Sequence, residues 1–231
     1  MKALFLAGGK GTRLQPLTDK VPKPMVQIMN VPLLERTIMK LKNYGIVDII
    51  ISCYYKAEYI RDYFGDGKKL GLNIQYIIEN EPLGTGGAIK MAESMIDDTF
   101  MVINADILSD IDIPELTGFH KNKDAYLTIA ATEVDDPTAY GLIKYNSDDY
   151  ILLFVEKPKP EEIDSNFINA GIYVVEPAIL GEIPVNRFVS IEREIFPKIL
   201  KRGYKLAVYK DKSYWADIGT LEKYMQTHRD I

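Results

Sequence analysis

The chain is 231 residues long, 47 % hydrophobic and 26 % charged, the profile of one ordinary globular domain. A net charge of −5 argues against general binding to nucleic acid or an anionic membrane surface. One cysteine, Cys53, rules out an internal disulfide and reads as a small buried hydrophobe; His120 and His228 are too isolated for a histidine metal site or a triad.

Met1-Lys2 runs directly into ALFLA (Ala3–Ala7), read as a strand. No cleavage-site pattern follows and no apolar run approaches the ~20 residues of a membrane helix, so a cytoplasmic protein is expected. Leu33, Leu34, Ile38, Leu41 and Tyr44 fall at helical spacing and predict a helix ending near Gly45. DIIISCY (Asp48–Tyr54) predicts a strand, Tyr59 to Phe64 a short helix stopped by Gly65, and NIQYII (Asn73–Ile78) another strand. Ala88, Met91, Ala92 and Met95 predict a helix entered from a glycine turn, and TFMVINAD (Thr99–Asp106) a further strand. The second half is richer in strands: Ala125–Thr132, Tyr140–Tyr145, Tyr150–Pro158, Phe167–Val175 and Lys205–Lys210. Helices are expected over Ile191–Lys201 and after Gly219. The alternation predicts an α/β fold: a Rossmann-like, mixed but mainly parallel sheet with helices on both faces and an inserted β-rich lobe. Ligands of such sheets bind beyond the carboxyl ends of the strands.

Chemistry concentrates in LFLAGGKGTRLQPLTDKVPKP, after the first strand. Residues 1–25 carry Lys2, Lys10, Arg13, Lys20 and Lys23 against one acid, Asp19, in an otherwise acidic chain. A local positive cluster on a glycine loop suggests a small polyanion. The loop is not a Walker loop: Lys10 comes too early and no Gly-Lys-Ser/Thr follows. Nor is it a dinucleotide fingerprint, because Leu14 stands where the third glycine belongs. What it does have is glycine backbone that lets N–H groups approach a phosphate, the planar fork of Arg13, and Lys23 stiffened between Pro22 and Pro24.

LAGGKGTRLQPLTDKVPKPM resembles the signature of the sugar-phosphate nucleotidyltransferases, which join a nucleoside triphosphate to a sugar 1-phosphate and release pyrophosphate. The resemblance implies a triphosphate cradle of Gly8, Gly9, Gly11 and Thr12, with Leu6 and Ala7 also binding nucleotide, Arg13 at the leaving pyrophosphate and Lys23 at the reacting phosphates. It implies Mg²⁺ held by Asp106, closing the strand MVINAD, and Asp217, in YWADIGT. Ala105 stands where the family often has glycine. EPLGTGGA (Glu81–Ala88) resembles the segment that receives base and ribose, which adds Glu79, Pro82, Gly84 and Thr85. VEKP (Val155–Pro158) resembles the sugar-phosphate site, with Glu156 accepting from hydroxyls and Lys157 pairing with the phosphate. Gly141 in YGLI and Asn169 and Ala170 in NAGIYV resemble residues that line the sugar. Trp215, beside Asp217, is expected to pack and fix that loop.

On this reading residues 1–231 form a single nucleotidyltransferase domain. Its nucleotide-binding part covers about residues 1–120 and its sugar-binding part about 121–220, with no room for a C-terminal β-helix domain. Nucleic acid and membrane are not expected as partners, and a homodimer stays open. The proline-flanked lysine and the PLGTGG turn look most like the mannose-1-phosphate and manno-heptose-1-phosphate guanylyltransferase group. A carboxylate at Glu79 suits the two N–H donors of guanine better than the single one of uracil or thymine; uridylyl and thymidylyl transfer stay open. Two other classes fit less well. A non-catalytic regulatory paralogue would have lost one of Arg13, Lys23, Asp106 or Asp217. A metal-dependent glycosyltransferase would want Asp-x-Asp where Asn104-Ala105-Asp106 stands.

Overall fold

The computed structural model describes residues 1–231. In β1 (Lys2–Ala7), Ala3, Phe5 and Ala7 enter one core cluster and Leu4 another. That period of two belongs to a strand buried on both faces. After the glycine loop come a two-residue pair, β2 (Gln27–Ile28) and β3 (Val31–Pro32), and helix α1 (Leu33–Asn43). Then follow β4 (Asp48–Cys53), α2 (Ala57–Phe64), β5 (Asn73–Ile78), α3 (Gly84–Met91), β6 (Phe100–Asn104), β7 (Ile107–Ser109) and α4 (Ile113–Lys123). The second half adds β8 (Leu127–Glu133), β9 (Gly141–Tyr145), β10 (Ile151–Glu156) and β11 (Phe167–Val175). A π-helical turn, Ile191–Ile195, runs into α5 (Phe196–Lys201). The chain finishes with β12 (Leu206–Asp211), β13 (Trp215–Asp217) and α6 (Leu221–Asp230), which is capped by the Thr220 hydroxyl.

β5, β4, β1 and β6 are neighbours and mutually parallel. β11 joins β6 antiparallel and carries the sheet on to β9 and β10; β8 pairs with β11 and, in parallel, with β12. The β-rich part therefore extends the same nine-stranded sheet. α1, α2 and α4 contribute Ile38, Leu41, Ile60, Phe64, Ile113 and Leu116 to the core on one face. α3 and α5 contribute Ile89, Phe196 and Ile199 on the other, so helices cover both faces as the periodicity predicts. Cys53 is buried, and burial first, then the neighbouring charge of Glu79, pushes its thiol up to about 12, leaving it inert at neutral pH.

Two expectations need correction. The glycine turn does not precede the third helix; Gly84, Gly86 and Gly87 are its opening turns, and Met95 falls in a separate 3₁₀ turn, Glu93–Met95. Helix α4 has no counterpart in the sequence reading. Only Ile113, Leu116 and His120 are buried along it, too sparse a stripe to declare a period. Its start was written in Asp112, whose carboxylate accepts the Glu115 N–H at 2.8 Å.

A small third cluster matters most for the site. Leu14, from the glycine loop, packs with Ile28, Leu33 and Ile218, all fully buried. Leu14 occupies the place of the missing third glycine because it is an apolar anchor. It fastens the loop to the residue after Asp217.

Candidate active site

β1, β5 and β6 end on the same side of the sheet, where Gly8, Glu79 and Asp106 follow them. Around these ends lies a cavity of about 320 Å³. It is lined by Leu6, Ala7, Gly8, Gly9, Lys23, Glu79, Pro82, Gly84, Thr85 and Asp106, all singled out from sequence, and by Pro24, Ala88, Asn104 and Phe188, which were not assigned there.

Lys23 opens a 3₁₀ turn with Pro22 before it and Pro24 inside it, and only 8 % of the residue is exposed. Its ammonium donates to the Asp106 carboxylate and lies 3.9 Å from Asp217 Oδ1. Asp217 Oδ2 also takes Lys223 Nζ, at 3.2 Å. The two aspartates meet because β13 pairs antiparallel with β7, setting Asp217 opposite Ile107, and the Ile218 N–H donates to the Asp106 carbonyl at 2.9 Å. Two three-residue strands thus close the site. Gly219 leaves room for the Asp217 carboxylate, since a Cβ there would stand 3.0 Å from both its oxygens.

Gly11 has a specific duty. Its φ is +65°, and a Cβ on it would come within 2.9 Å of Lys23 Cβ and Thr18 Cγ2. The loop passes over the lysine stem so closely that only glycine fits. Thr12 and Arg13, one turn further on, are exposed and do not line the cavity.

Glu79 is buried to 6 % exposure. Its Oε1 accepts from the Ser52 hydroxyl at 3.0 Å and its Oε2 from the Leu83 N–H at 3.1 Å. The carboxylate therefore fixes the segment that enters α3. Thr85 donates to Glu192 at 2.7 Å and accepts the Ile191 N–H at 2.9 Å, tying α3 to the π-helical turn.

The sugar-site candidates form a second group. Gly141 in β9 faces Glu156 in β10, and a Cβ on Gly141 would sit 3.0 Å from Glu156 Oε2 and collide with the Phe154 ring. Burial, then the charge of Glu192, raises the Glu156 carboxyl above its ordinary value, against the pull of Arg193 and Lys157. Lys157 is exposed at φ +55°, its N–H donating to the Tyr140 carbonyl at 2.8 Å. Asn169 is engaged at both ends: Nδ2 donates to Tyr173 Oη at 2.7 Å and Oδ1 accepts the Gly171 N–H at 2.9 Å. Ala170 is buried in the core, and its carbonyl accepts from Trp215 Nε1 at 2.9 Å, the packing role expected of that tryptophan. At the neighbouring Gly171 (φ +73°) β11 bends, and a Cβ there would be 2.7 Å from Asn104 Nδ2.

Glu192 and Asn104 were given no site role by the sequence reading. Asn104 Oδ1 is buried without a partner and the residue lines the cavity. Its position two residues before Asp106 was the available signal. Glu192 had only its place in a predicted helix.

No cluster of three or more His, Cys, Asp or Glu side chains is arranged to hold a metal. Asp106 and Asp217 nevertheless offer hard oxygens around one cationic group, the Lys23 ammonium. That set suits Mg²⁺, which keeps several waters and takes substrate phosphates alongside one or two carboxylates. No helix is long and apolar enough to cross a membrane.

Against known proteins, the family model described as nucleotidyl transferase matches residues 2–231. A mannose-1-phosphate guanylyltransferase of Mycobacterium tuberculosis is 41 % identical over 231 residues, covering 99 % of this chain and 64 % of that protein. The chain thus spans somewhat less than two thirds of the length of that curated relative. HddC from Yersinia pseudotuberculosis, solved in complex with GMP-PN, is 35 % identical with a TM-score of 0.83, covering 99 % of this chain and 98 % of its own. A UDP-glucose pyrophosphorylase complexed with UDP-glucose is 26 % identical with a TM-score of 0.85, covering 99 % and 97 %.

Proposed function

The chain belongs to the nucleotidyl transferase family, and from that premise we propose that it transfers a nucleotidyl group from a nucleoside triphosphate to a sugar 1-phosphate and releases pyrophosphate. One observation carries the reading. Lys23 is buried on a stiffened turn, with its ammonium between Asp106 and Asp217 at the wall of a cavity of nucleotide scale.

The triphosphate lies along Gly8 and Gly9, where backbone N–H groups and the absence of side chains admit phosphate oxygens. An oxygen of the sugar phosphate attacks the α-phosphorus, its bond to phosphorus forms, and the bond to the pyrophosphate oxygen breaks in line. The attacking oxygen is already anionic at neutral pH, so no general base is required. Lys23 offsets charge on the reacting phosphates, and Arg13 meets the leaving pyrophosphate. Glu156 accepts hydrogen bonds from sugar hydroxyls while Lys157 pairs with the sugar's phosphate. Asp106 and Asp217 would hold Mg²⁺, which when bound would supply further charge neutralisation at the phosphate oxygens. Catalysis is then mostly positioning and electrostatics. On this reading most of the nucleotide's contacts come from about residues 1–120 and most of the sugar phosphate's from about 121–220.

The preferred substrates are GTP and a manno-configured sugar or heptose 1-phosphate. This preference is supported by the identity to a protein named mannose-1-phosphate guanylyltransferase and by the likeness to HddC complexed with GMP-PN. Uridylyl or thymidylyl transfer is the second reading, because both oxygens of Glu79 already serve Ser52 and Leu83. Pyrophosphate release, measured for several triphosphates against a panel of sugar 1-phosphates, tests the proposal. It predicts release that needs both substrates together.

A further inference from the structure

Phe188 is the one aromatic side chain lining the cavity, and it is 61 % exposed. Its backbone is pinned. The Val189 N–H donates to the Leu83 carbonyl at 2.8 Å, and the Gly86 N–H donates to the Val189 carbonyl at 2.8 Å. Arg187 donates to the Phe188 carbonyl at 3.0 Å and pairs with Glu194 at 2.8 Å. The glycines of α3 make this docking possible. A Cβ on Gly84 would lie 3.1 Å from two Phe188 ring carbons, and one on Gly86 would lie 2.7 Å from Val189 Cγ1. The PLGTGG motif thus serves to seat residues 187–189 against the helix start. A large apolar ring is held in water on backbone that is not free to withdraw it.

The cavity walls differ in chemistry. Gly8, Gly9, Lys23 and Asp106 suit phosphates and their counter-ions, whereas Pro82, Gly84, Ala88 and Phe188 carry no charge, beside a Glu79 carboxylate held by Ser52 and the Leu83 N–H. A ligand that satisfies both carries an anionic chain on one side and a flat apolar group on the other. We propose that Phe188 receives the base of the nucleotide, its ring covering one face of the heterocycle. The inference rests on the nucleotide reading above and adds the residue that holds the base. Stacking on an aromatic face accepts any base, so Phe188 supplies affinity. A purine overlaps the ring more than a pyrimidine does, which tilts the site toward purines.

The test is binding without turnover. Equilibrium dialysis would measure GTP, UTP and inorganic tripolyphosphate on the wild-type chain, Phe188→Ala and Phe188→Trp, without sugar phosphate. Phe188 is largely exposed, so both variants should melt with the wild type. The expected result for Phe188→Ala is a GTP affinity lower by on the order of 10-fold, a smaller loss for UTP, and unchanged binding of tripolyphosphate. Phe188→Trp should keep GTP affinity and add, over the Trp215 emission of the wild type, indole emission that GTP quenches and tripolyphosphate does not. If wild type binds GTP and Phe188→Ala binds it equally well, the inference falls while the nucleotide reading stands. An equal loss of tripolyphosphate in Phe188→Ala would also overturn it, as would unquenched emission in Phe188→Trp. If the wild-type chain binds no nucleoside triphosphate, both fall.

Discussion

The ammonium of Lys23 donates to the carboxylate of Asp106, 83 positions away in the chain. Asp217 completes the group, and Leu14 with Ile218 is the apolar fastening that holds it there. The proline-flanked loop and the β7–β13 pair that brings the aspartates together are therefore one device.

Replacing Lys23 with alanine should lower turnover by at least about 10²-fold, the scale seen when a charge-stabilising donor is removed from a reaction centre. The same change should tighten Mg²⁺ binding to the nucleotide-free chain, because the ammonium occupies the carboxylates that the cation needs. Steady-state kinetics and calorimetric Mg²⁺ titration would show the two effects moving in opposite directions. A lysine with a purely structural role would lower both.

Leu14→Ala should destabilise the chain by about 2–5 kcal/mol, since it empties a fully buried position in a cluster of four. Urea unfolding would measure the loss. Activity in the surviving folded fraction should fall as well, because Ile218 is left loose beside Asp217.

Gly11→Ala should cost roughly 1–3 kcal/mol from backbone strain, as its φ of +65° is a conformation that side chains rarely adopt. The added methyl also presses on Lys23 Cβ, so turnover should drop further than stability alone explains. Gly9→Ala is the control: nothing lies within 4 Å of a Cβ there, and its stability should match the wild type.

With the proposed sugar-binding role, Glu156 is expected to set the acid side of the pH profile. Burial and the charge of Glu192 raise its carboxyl above the ordinary value, so it takes up a proton at a higher pH than an unperturbed glutamate. Its protonated form cannot accept from sugar hydroxyls as the carboxylate does. The KM for sugar phosphate should therefore climb as pH falls through this raised value, and Glu192→Gln should move that climb to lower pH. A raised folded pKa contributes stability that is full below the unfolded value and is lost as pH rises through the folded one. Glu156→Gln should accordingly melt higher than the parent at neutral pH while using sugar phosphate poorly. Thermal melts at pH 5 and 8 would check the sign, with the advantage of the variant larger at pH 8.

The order of strands and helices was legible because buried strands and amphipathic helices impose periods of two and 3.6 on apolar residues. β5 and β11 match their expected bounds. Long, specific loop motifs likewise mark Lys23, Gly8 and Gly9, which line the cavity. Helix α4 was not legible, since its apolar stripe is broken by Thr117 and Gly118 and only its cap announces it. β7 and β13 are three residues each, too short for any period, yet they bring Asp217 to Asp106. Phe188 owes its place to backbone bonds of Val189 with Leu83 and Gly86, and Glu192 to the Thr85 hydroxyl, all reached from the far half of the chain. Such long-range contacts leave no local trace.

The central claim is tested most directly by pyrophosphate release from the purified chain with GTP, mannose 1-phosphate and Mg²⁺, extended to other triphosphates and sugar 1-phosphates. The account predicts release only when triphosphate, sugar phosphate and Mg²⁺ are present together, with the signal lost in Lys23→Ala. No release with any pair, or release from the triphosphate alone at the same rate, would contradict it.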